Sequence, residues 1–450
     1  MSNKFESYFS SLAGKRVTVI GLGVSNRPLV RLLLGSGCIV TGCDRTPLER
    51  LDREVLELEK LGCILKTGDD YLENISADLV FRTPCMHPNN PALCALRGRG
   101  IKITSEMDVF FALCPCKKIA VTGSDGKTTT TTLISELLKA AGKKVWLGGN
   151  IGTPLLPLCG QMKEDDIAVV ELSSFQLMDM THSPEVAVIT NIAPNHLDVH
   201  KDMEEYVEAK KNVFHFQRET DRLVVNGDNE ITAGLRSCGT TRTFSRLGNG
   251  DACLHNGVIT CDDRPVLPAA DILIPGVHNI ENYMAAILAV EGLVEDDVIR
   301  QVAKSFSGVE HRIELVRIKD GVRYYNDSIA SSPSRTIAGL RSFQEKVILI
   351  AGGYDKKIPY DVLGPEICKH VKKLFLGGAT GGKIRAAVEA CPEEKPEIVD
   401  CENFEAAVRA AAAAATEGDV VLMSPASAAF DQFKNFAVRG TFFKKIIKEL

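Results

Sequence analysis

Three times along the chain a short β-branched strand runs straight into a glycine turn: Val17-Thr-Val-Ile-Gly-Leu-Gly23, Ile119-Ala-Val-Thr-Gly-Ser-Asp-Gly-Lys127 and Val347-Ile-Leu-Ile-Ala-Gly-Gly353. A buried strand that ends in glycines is how a parallel α/β unit opens, with the crossover helix to follow. After the second turn, Leu133, Ile134, Leu137, Leu138 and Ala141 recur at helical spacing as far as Gly142, which predicts strand, loop, helix. Further buried-strand runs at Ile167 to Leu172, Val186 to Ile192, Leu223 to Asn226, Leu374 to Leu376 and Val420 to Met423 alternate with helical stretches such as Ala406 to Ala415. The fold class expected is therefore α/β, with mostly parallel sheets repeated along the chain. At roughly 150 residues per domain the chain holds about three units. Boundaries near Ser105 and Ser307-Gly308 divide it into 1–105, 106–308 and 309–450.

Charge excludes some functions. The 53 basic and 58 acidic side chains leave a net charge of −5, with no surplus to neutralise a phosphate backbone, so no nucleic-acid partner is expected. No apolar run approaches the ~18 residues that cross a bilayer. Met1 to Leu12 lacks the basic-then-apolar pattern of an export signal, which points to the cytoplasm and away from a membrane. The 14 cysteines are scattered in apolar surroundings, which suits reduced thiols. Cys114-Pro-Cys116 has the wrong spacing for a redox or zinc pair.

The segment that carries most chemistry is Thr122-Gly-Ser-Asp-Gly-Lys-Thr-Thr129. Glycines let successive backbone N–H groups curl around phosphate oxygens, Lys127 offers a cation to the terminal phosphates, and Thr128 offers a hydroxyl for Mg²⁺ at a helix N-terminus. Only two residues separate Gly123 from Gly126, so the loop is shorter than the generic nucleotide-binding pattern. Glu171 closes the next buried strand and His196 follows the one after. In an open parallel sheet these strand ends share a rim with the loop, which makes a carboxylate and an imidazole candidates for Mg²⁺. Gly21-Leu-Gly-Val-Ser-Asn26, with Asp44 about twenty residues on, is similar to a dinucleotide fingerprint whose third glycine is replaced by Asn26. That pattern fits a nucleotide diphosphate better than NAD.

Taken in order, Thr-Gly-x-x-Gly-Lys-Thr-Thr at 122–129, Gly149-Asn-Ile-Gly152, Glu171-Leu-Ser-Ser-Phe-Gln-Leu177, Thr190-Asn-Ile-x-Pro-x-His-Leu-Asp198, Ala209-Lys210, His278-Asn-x-x-Asn282, His311-Arg312, Asn326-Asp-Ser328, Ser424-Pro-Ala and Asp431-Gln-Phe-Lys-Asn-Phe436 resemble the Mur ligases of peptidoglycan synthesis, and within them the D-glutamate-adding branch. The resemblance implies a Rossmann-like UDP-binding domain, a central ATPase and a C-terminal Rossmann-like domain. It implies ATP, two Mg²⁺ ions, UDP-N-acetylmuramoyl-L-alanine and D-glutamate as partners, and a monomer. Matched position by position, Thr128, Glu171, His196 and Lys210 would hold metal, Lys210 as a carbamate. Read without the resemblance, Lys210 beside Lys211 on a helix is a solvated charge. Gly123, Ser124, Asp125, Gly126, Lys127, Thr128, Thr129, Asn279, Asn282, Arg312 and Asp327 match the ATP site, and Lys127, Glu171, His196 and Lys210 the catalytic set. Val24, Ser25, Asp44, Arg45, Thr83 and Asn150 match the UDP-substrate site, and Ser331, Lys356, Phe430 and Phe436 the D-glutamate site. Ile329 and Ala429 stand where the family commonly has a lysine and a serine, and Arg335 or Lys357 is expected to replace the missing cation, because two desolvated carboxylates need paired donors. Cys85 and Asn195 also depart from the family pattern. The competing readings are a Mur-type ligase for another amino acid, a nicotinamide oxidoreductase built on the first domain, and a nucleotide-binding module without turnover.

Overall fold

A computed structural model of the chain describes residues 4–196 and 199–450; Leu197 and Asp198, the end of the Thr190-to-Asp198 motif, lie outside the described residues. Three sheets follow one another along the sequence. The first has the order Ile64–Thr67, Ile39–Asp44, Arg16–Ile20, Leu79–Phe81, Lys102–Thr104, all parallel. The second has nine strands, with Lys117–Thr122 flanked by Ile167–Glu171 on one side and Val186–Ile189 on the other. Val145–Gly149 forms one end of it, and Arg222–Asn226, Thr240–Ser245 and Ala252–His255 extend it before an antiparallel turn back into Val258–Cys261. The third runs Glu314–Lys319, Val322–Asn326, Val420–Met423, Val347–Ala351, Val371–Leu376, Glu397–Asp400, parallel except for its first pair.

The α/β reading of the sequence holds. The flanked strands are buried on both faces, which is why they appear as unbroken apolar runs and not as an alternation. Several strand ends differ from expectation: Ile167–Glu171 stops before Leu172, and Arg222–Asn226 and Val371–Leu376 begin earlier than expected. The strand expected to run from Val186 to Ile192 stops at Ile189, because Thr190 and Asn191 leave the ladder to bond the neighbouring glycine loop.

In the helix Lys127–Ala140 five threonines follow Lys127, a β-branched run of low helical propensity. Burial of Thr130 and Thr131, a bond from Thr131 Oγ1 to the Lys127 carbonyl (2.7 Å), and complete burial of Leu133, Ile134, Leu137 and Leu138 hold it in place. Side chains of the first and second sheets share one apolar cluster, in which Val19 and Phe81 join Phe110, Leu156, Val170 and Ile189. The third sheet has a core on each face: Leu349, Leu374 and Leu422 on one, Ile348, Ile350 and Val421 on the other, as strand alternation requires. The chain forms two compact units, 1–267 with 281–302, and 268–280 with 303–450. Among the described residues no helix is long and apolar enough to cross a membrane. All 14 cysteines are free thiols.

Candidate functional site

In the first unit the chain reverses direction across the second sheet at Lys117–Thr122, whose neighbours on either side are laid down later. A crevice opens at such a switch point beyond the carboxyl ends of the strands. The Gly123–Gly126 loop lies there. Glu171 is the register partner of Val121, and Ile189 of Thr122, so the glycine loop, the carboxylate and the Thr190-Asn191 pair are brought to one rim.

The loop is held from the side. Thr190 Oγ1 donates to the Asp125 carbonyl (2.6 Å), the Asp125 N–H donates to Asn191 Oδ1 (3.0 Å), and the Ser124 N–H donates to the Asn191 carbonyl (2.9 Å). Gly123 has φ +148°, and a β-carbon there would lie 1.9 Å from Thr190 Oγ1, so no other residue fits. Ser124, expected among the phosphate contacts, is used structurally. Its hydroxyl bonds Tyr206 Oη (2.9 Å) and the Ala193 carbonyl (2.9 Å), which ties the loop to the helix Met203–His215 and to the segment after the strand Val186–Ile189. Lys127 Nζ folds over the loop onto the carbonyls of Gly123 (3.0 Å) and Ser124 (2.9 Å). Asn282 accepts from Thr130 Oγ1 (3.1 Å), beside the loop.

Lys210 overturns the solvated reading that its neighbourhood suggests. It is 1% exposed, its Nζ donates to the Gly123 carbonyl (2.7 Å), and it lies 4.7 Å from the centre of the Tyr206 ring. Burial, with the Lys127 cation nearby, pushes its pKa down to about 7. Glu171, also 1% exposed, accepts from Asn150 Nδ2 on Oε1 (2.7 Å), while its buried Oε2 has no hydrogen-bond partner among the described residues. Asn150, matched to the UDP-substrate site, orients this carboxylate here. An unpaired buried carboxylate oxygen beside an amine close to neutrality, with the Thr128 hydroxyl at the helix start, is a donor set that suits a hard cation such as Mg²⁺. His196 is exposed, has φ +56°, and meets the edge of Phe175 at 5.1 Å between centroids.

The first glycine turn is built differently. Asp44 Oδ2 accepts from the Leu22 N–H (2.8 Å) and its Oδ1 from the Thr46 N–H (2.9 Å). Asn26, in place of a third glycine, is buried and donates to the carbonyls of Ile20 (3.3 Å) and Gly21 (2.8 Å), bracing the turn with its side chain. Val24, Ser25 and Arg45 are exposed around it. Thr83 comes from the adjacent strand end, so close that a β-carbon on Gly21 would lie 2.7 Å from its Cβ.

In the second unit, Asp327, Ser424 and Gly352 follow three neighbouring strand ends. Asp327 accepts from Ser424 Oγ (2.7 Å) and from the Ile313 N–H (3.3 Å), and complete burial raises its pKa to about 7. Arg312 Nε is buried without a partner among the described residues. Asn279 is the second residue of the helix His278–Ala289, its amide donating to the Pro275 carbonyl (2.6 Å). Phe430 meets Tyr354 at 5.8 Å and Phe436 meets His311 at 6.0 Å, all four around the same strand ends. Ser331 is half-buried, and Lys356 and Lys357 are exposed on the loop after Gly353. Arg335 Nη1 donates to the Ile329 carbonyl (3.2 Å), which lays a guanidinium across the position where the family lysine is missing.

Sequence reasoning missed Tyr206, Asn191 as the clamp on the loop, and Arg439. The last is 1% exposed and donates to Ser328 Oγ (3.0 Å), the Ser328 carbonyl (2.9 Å) and the Ala428 carbonyl (3.1 Å). Arg439 lies on the buried face of the helix Phe436–Glu449 with Phe443 and Ile446, at i+4 and i+7, a cation in an apolar stripe that could have marked it.

With this geometry in place, the comparisons are direct. The Mur ligase middle domain matches residues 121–290, and the Mur ligase, glutamate ligase domain matches 311–427. A protein of Acetivibrio thermocellus named UDP-N-acetylmuramoylalanine--D-glutamate ligase is 50% identical over the whole of both chains. One of the same name from Clostridium beijerinckii is 48% identical, again over both whole chains. Among solved structures, the UDP-N-acetylmuramate-alanine ligase of Thermotoga maritima aligns with a TM-score of 0.58 at 18% identity, covering 97% of this chain and 99% of its own. A MurF ligase from Thermotoga maritima in complex with ADP aligns with a TM-score of 0.53 at 18% identity, covering 98% and 97%. These two establish the shared fold.

Proposed function

The chain belongs to the Mur ligase family, and from that premise we propose that it joins D-glutamate to UDP-N-acetylmuramoyl-L-alanine while ATP is cleaved to ADP and phosphate. The observation that carries this reading is the meeting, at the Gly123 loop, of the Lys127 cation, a Glu171 oxygen without a partner among the described residues and the buried Lys210 amine.

A carboxylate is a poor electrophile at neutral pH. Transfer of the terminal phosphoryl of ATP to the L-alanyl carboxylate provides a leaving group, and the amine of D-glutamate then attacks the acyl phosphate and expels phosphate. Gly123, Asp125, Gly126, Thr128 and Thr129 surround the phosphates, with Ser124 holding the loop's shape, and Lys127 offsets charge on the migrating phosphoryl. Thr128, Glu171, His196 and carbamylated Lys210 are the residues that would hold two Mg²⁺, which when bound draw charge off the phosphate oxygens. Only a neutral amine adds CO₂, and burial already lowers the proton affinity of Lys210. Asn282 in the first unit, and Asn279, Arg312 and Asp327 in the second, are the further nucleotide contacts that the family pattern suggests. Val24, Ser25, Asp44, Arg45 and Thr83 receive the UDP portion, while Asn150 aims Glu171. Ser331, Lys356, Phe430 and Phe436 receive D-glutamate, with Arg335 or Lys357 supplying the missing cation. We assign these roles to domains 1–105, 106–308 and 309–450 of a monomer in the cytoplasm.

The decisive experiment incubates the purified protein with UDP-N-acetylmuramoyl-L-alanine, ATP, Mg²⁺ and single D- or L-amino acids. Amide and phosphate should form one for one with D-glutamate alone. No product with D-glutamate, or equal rates with another amino acid, overturns the assignment. Arg335→Ala or Lys357→Ala should raise the KM for D-glutamate by about tenfold, the order expected when a charged hydrogen bond is lost. An unchanged KM in both variants removes the compensation.

A further inference from the structure

We propose that Arg82 is a positioning residue which fixes the Thr83–Met86 turn relative to the Glu171 carboxylate, through the fork geometry of its guanidinium and not its charge alone. The proposal rests on the reading of Thr83 and Glu171 given above.

Arg82 follows the fully buried strand Leu79–Phe81 and precedes Thr83-Pro84. Its side chain has no exposure, whereas arginine is almost never fully buried unless its charge and donors are matched. Here all five guanidinium N–H groups find acceptors. Nε donates to Asp179 Oδ2 (2.6 Å), and one Nη2 hydrogen reaches Asp179 Oδ1, completing a bidentate pair. The other Nη2 hydrogen goes to the Phe175 carbonyl (3.1 Å), and Nη1 bridges the carbonyls of Thr83 (3.1 Å) and Met86 (3.0 Å).

These acceptors belong to two places. Thr83 and Met86 are the ends of the turn that packs on Gly21, and the Met86 N–H closes that turn onto the Thr83 carbonyl (3.1 Å). Phe175 lies in the short helix Ser174–Leu177 and Asp179 two residues past its end, and the start of that helix is locked by a capping box between Ser173 and Gln176. Ser173 stands two residues after Glu171. One planar cation therefore ties the turn of the first sheet to the segment that leaves the carboxylate of the second. The turn cannot drift inward, because Thr83 already touches Gly21, and Arg82 stops it drifting outward.

In a reaction between groups delivered by two domains, a displacement of about 1 Å is enough to lower the rate about 100-fold. Lysine at this position would keep the charge but bring three donors on a single nitrogen, unable to meet a carboxylate and three carbonyls on two sides at once.

The test compares the full-length parent with Arg82→Lys, Asp179→Asn and the double variant. Steady-state ligation is measured with each substrate varied, beside thermal melting and active-site titration of each preparation. Arg82→Lys should lower kcat per folded molecule by about 10- to 100-fold, with the KM for ATP held within about twofold. Asp179→Asn should lower it by a smaller factor, and the double variant should be no slower than Arg82→Lys, as expected of two residues acting as one unit. A purely structural role predicts lower melting temperatures with kcat per folded molecule within about twofold of the parent, and that result overturns the proposal. If Arg82→Lys does not fold, Asp179→Asn, on a partly exposed side chain, decides by the same criterion. A parent that fails to ligate overturns the functional reading and this inference with it. A parent that ligates beside variants that match it overturns the role of Arg82 alone.

Discussion

Two glycine turns, at Gly21–Asn26 and Gly123–Thr129, open parallel units with the same backbone plan and end with opposite chemistry. The first is held from within its own sheet by an acid, Asp44 on the Leu22 N–H, and by the amide of Asn26. The second is held from the neighbouring strand end by Thr190 and Asn191 and carries its own cation, Lys127, with a buried second amine, Lys210, on the same carbonyl. Both present a helix N-terminus, which favours anions in either case. The difference teaches that strand, turn and helix fix where a ligand sits, and the side chains that brace the turn decide what it can be. An acid at the brace favours groups that donate hydrogen bonds, and a cation favours phosphate.

The comparison breaks most visibly at Lys127. Lys127→Ala should lower D-glutamate-dependent ADP release by about 1,000-fold, since it removes a preorganised charge from a phosphoryl-transfer site. A loss below tenfold would put the two turns on a par. Lys210→Ala should lose activity next most severely and regain part of it when short carboxylic acids are added; full activity in the untreated variant would refute the role. The same lysine gives a signed pH dependence. Its folded pKa, about 7, lies below the ordinary value of 10.5, so between these values the unfolded chain binds the extra proton and the group's contribution to stability rises with pH. In CO₂-free buffer, the gain in urea midpoint of Lys210→Met over the parent should be largest near pH 7 and shrink toward pH 10. A gain that grows with pH reverses the sign and excludes a neutral buried amine.

The first turn should respond more mildly. Asp44→Asn should raise the KM for UDP-N-acetylmuramoyl-L-alanine by about tenfold at nearly constant kcat, the size expected for one charged hydrogen bond. The smallest effect is reserved for Asn26→Ala, which deletes two side-chain bonds to carbonyls and should lower stability by about 1 kcal/mol, read by denaturant titration, with turnover unchanged. If Asn26→Ala instead abolishes turnover, the first turn is more than a brace.

Much of this was legible because glycine turns and buried strands leave local signatures. The rim expected for the Gly123 loop, Glu171 and His196 was read from parallel topology, and the register of Val121 with Glu171 agrees with it for the loop and the carboxylate. Lys210 was not readable from its pair with Lys211. The separation comes from helical phase: on Met203–His215, Tyr206, Ala209, Val213 and Phe214 form the buried stripe, Lys210 falls on it, and Lys211 points away to pair with Glu208. A helical projection of that segment would have found it. The bracing bonds of Ser124 and Asn150 were unreadable for another reason. Both are polar residues in ligand-binding motifs, but their partners, Tyr206 and Glu171, lie far off in sequence, and local pattern cannot distinguish a group that faces a ligand from one that holds the group that does.

The pairing of Val121 with Glu171 also governs how this gene can change in length. Side chains alternate along a strand, so losing one codon between Ile167 and Glu171 would turn the carboxylate to the opposite face of the sheet, whatever residues remained. A codon lost from the exposed stretch at Glu164 and Asp165 merely shortens a connection. A single-codon deletion scan should therefore show an abrupt edge at Ile167, tolerant on one side and lethal to activity on the other, making the count of residues as heritable a part of the catalyst as their identity.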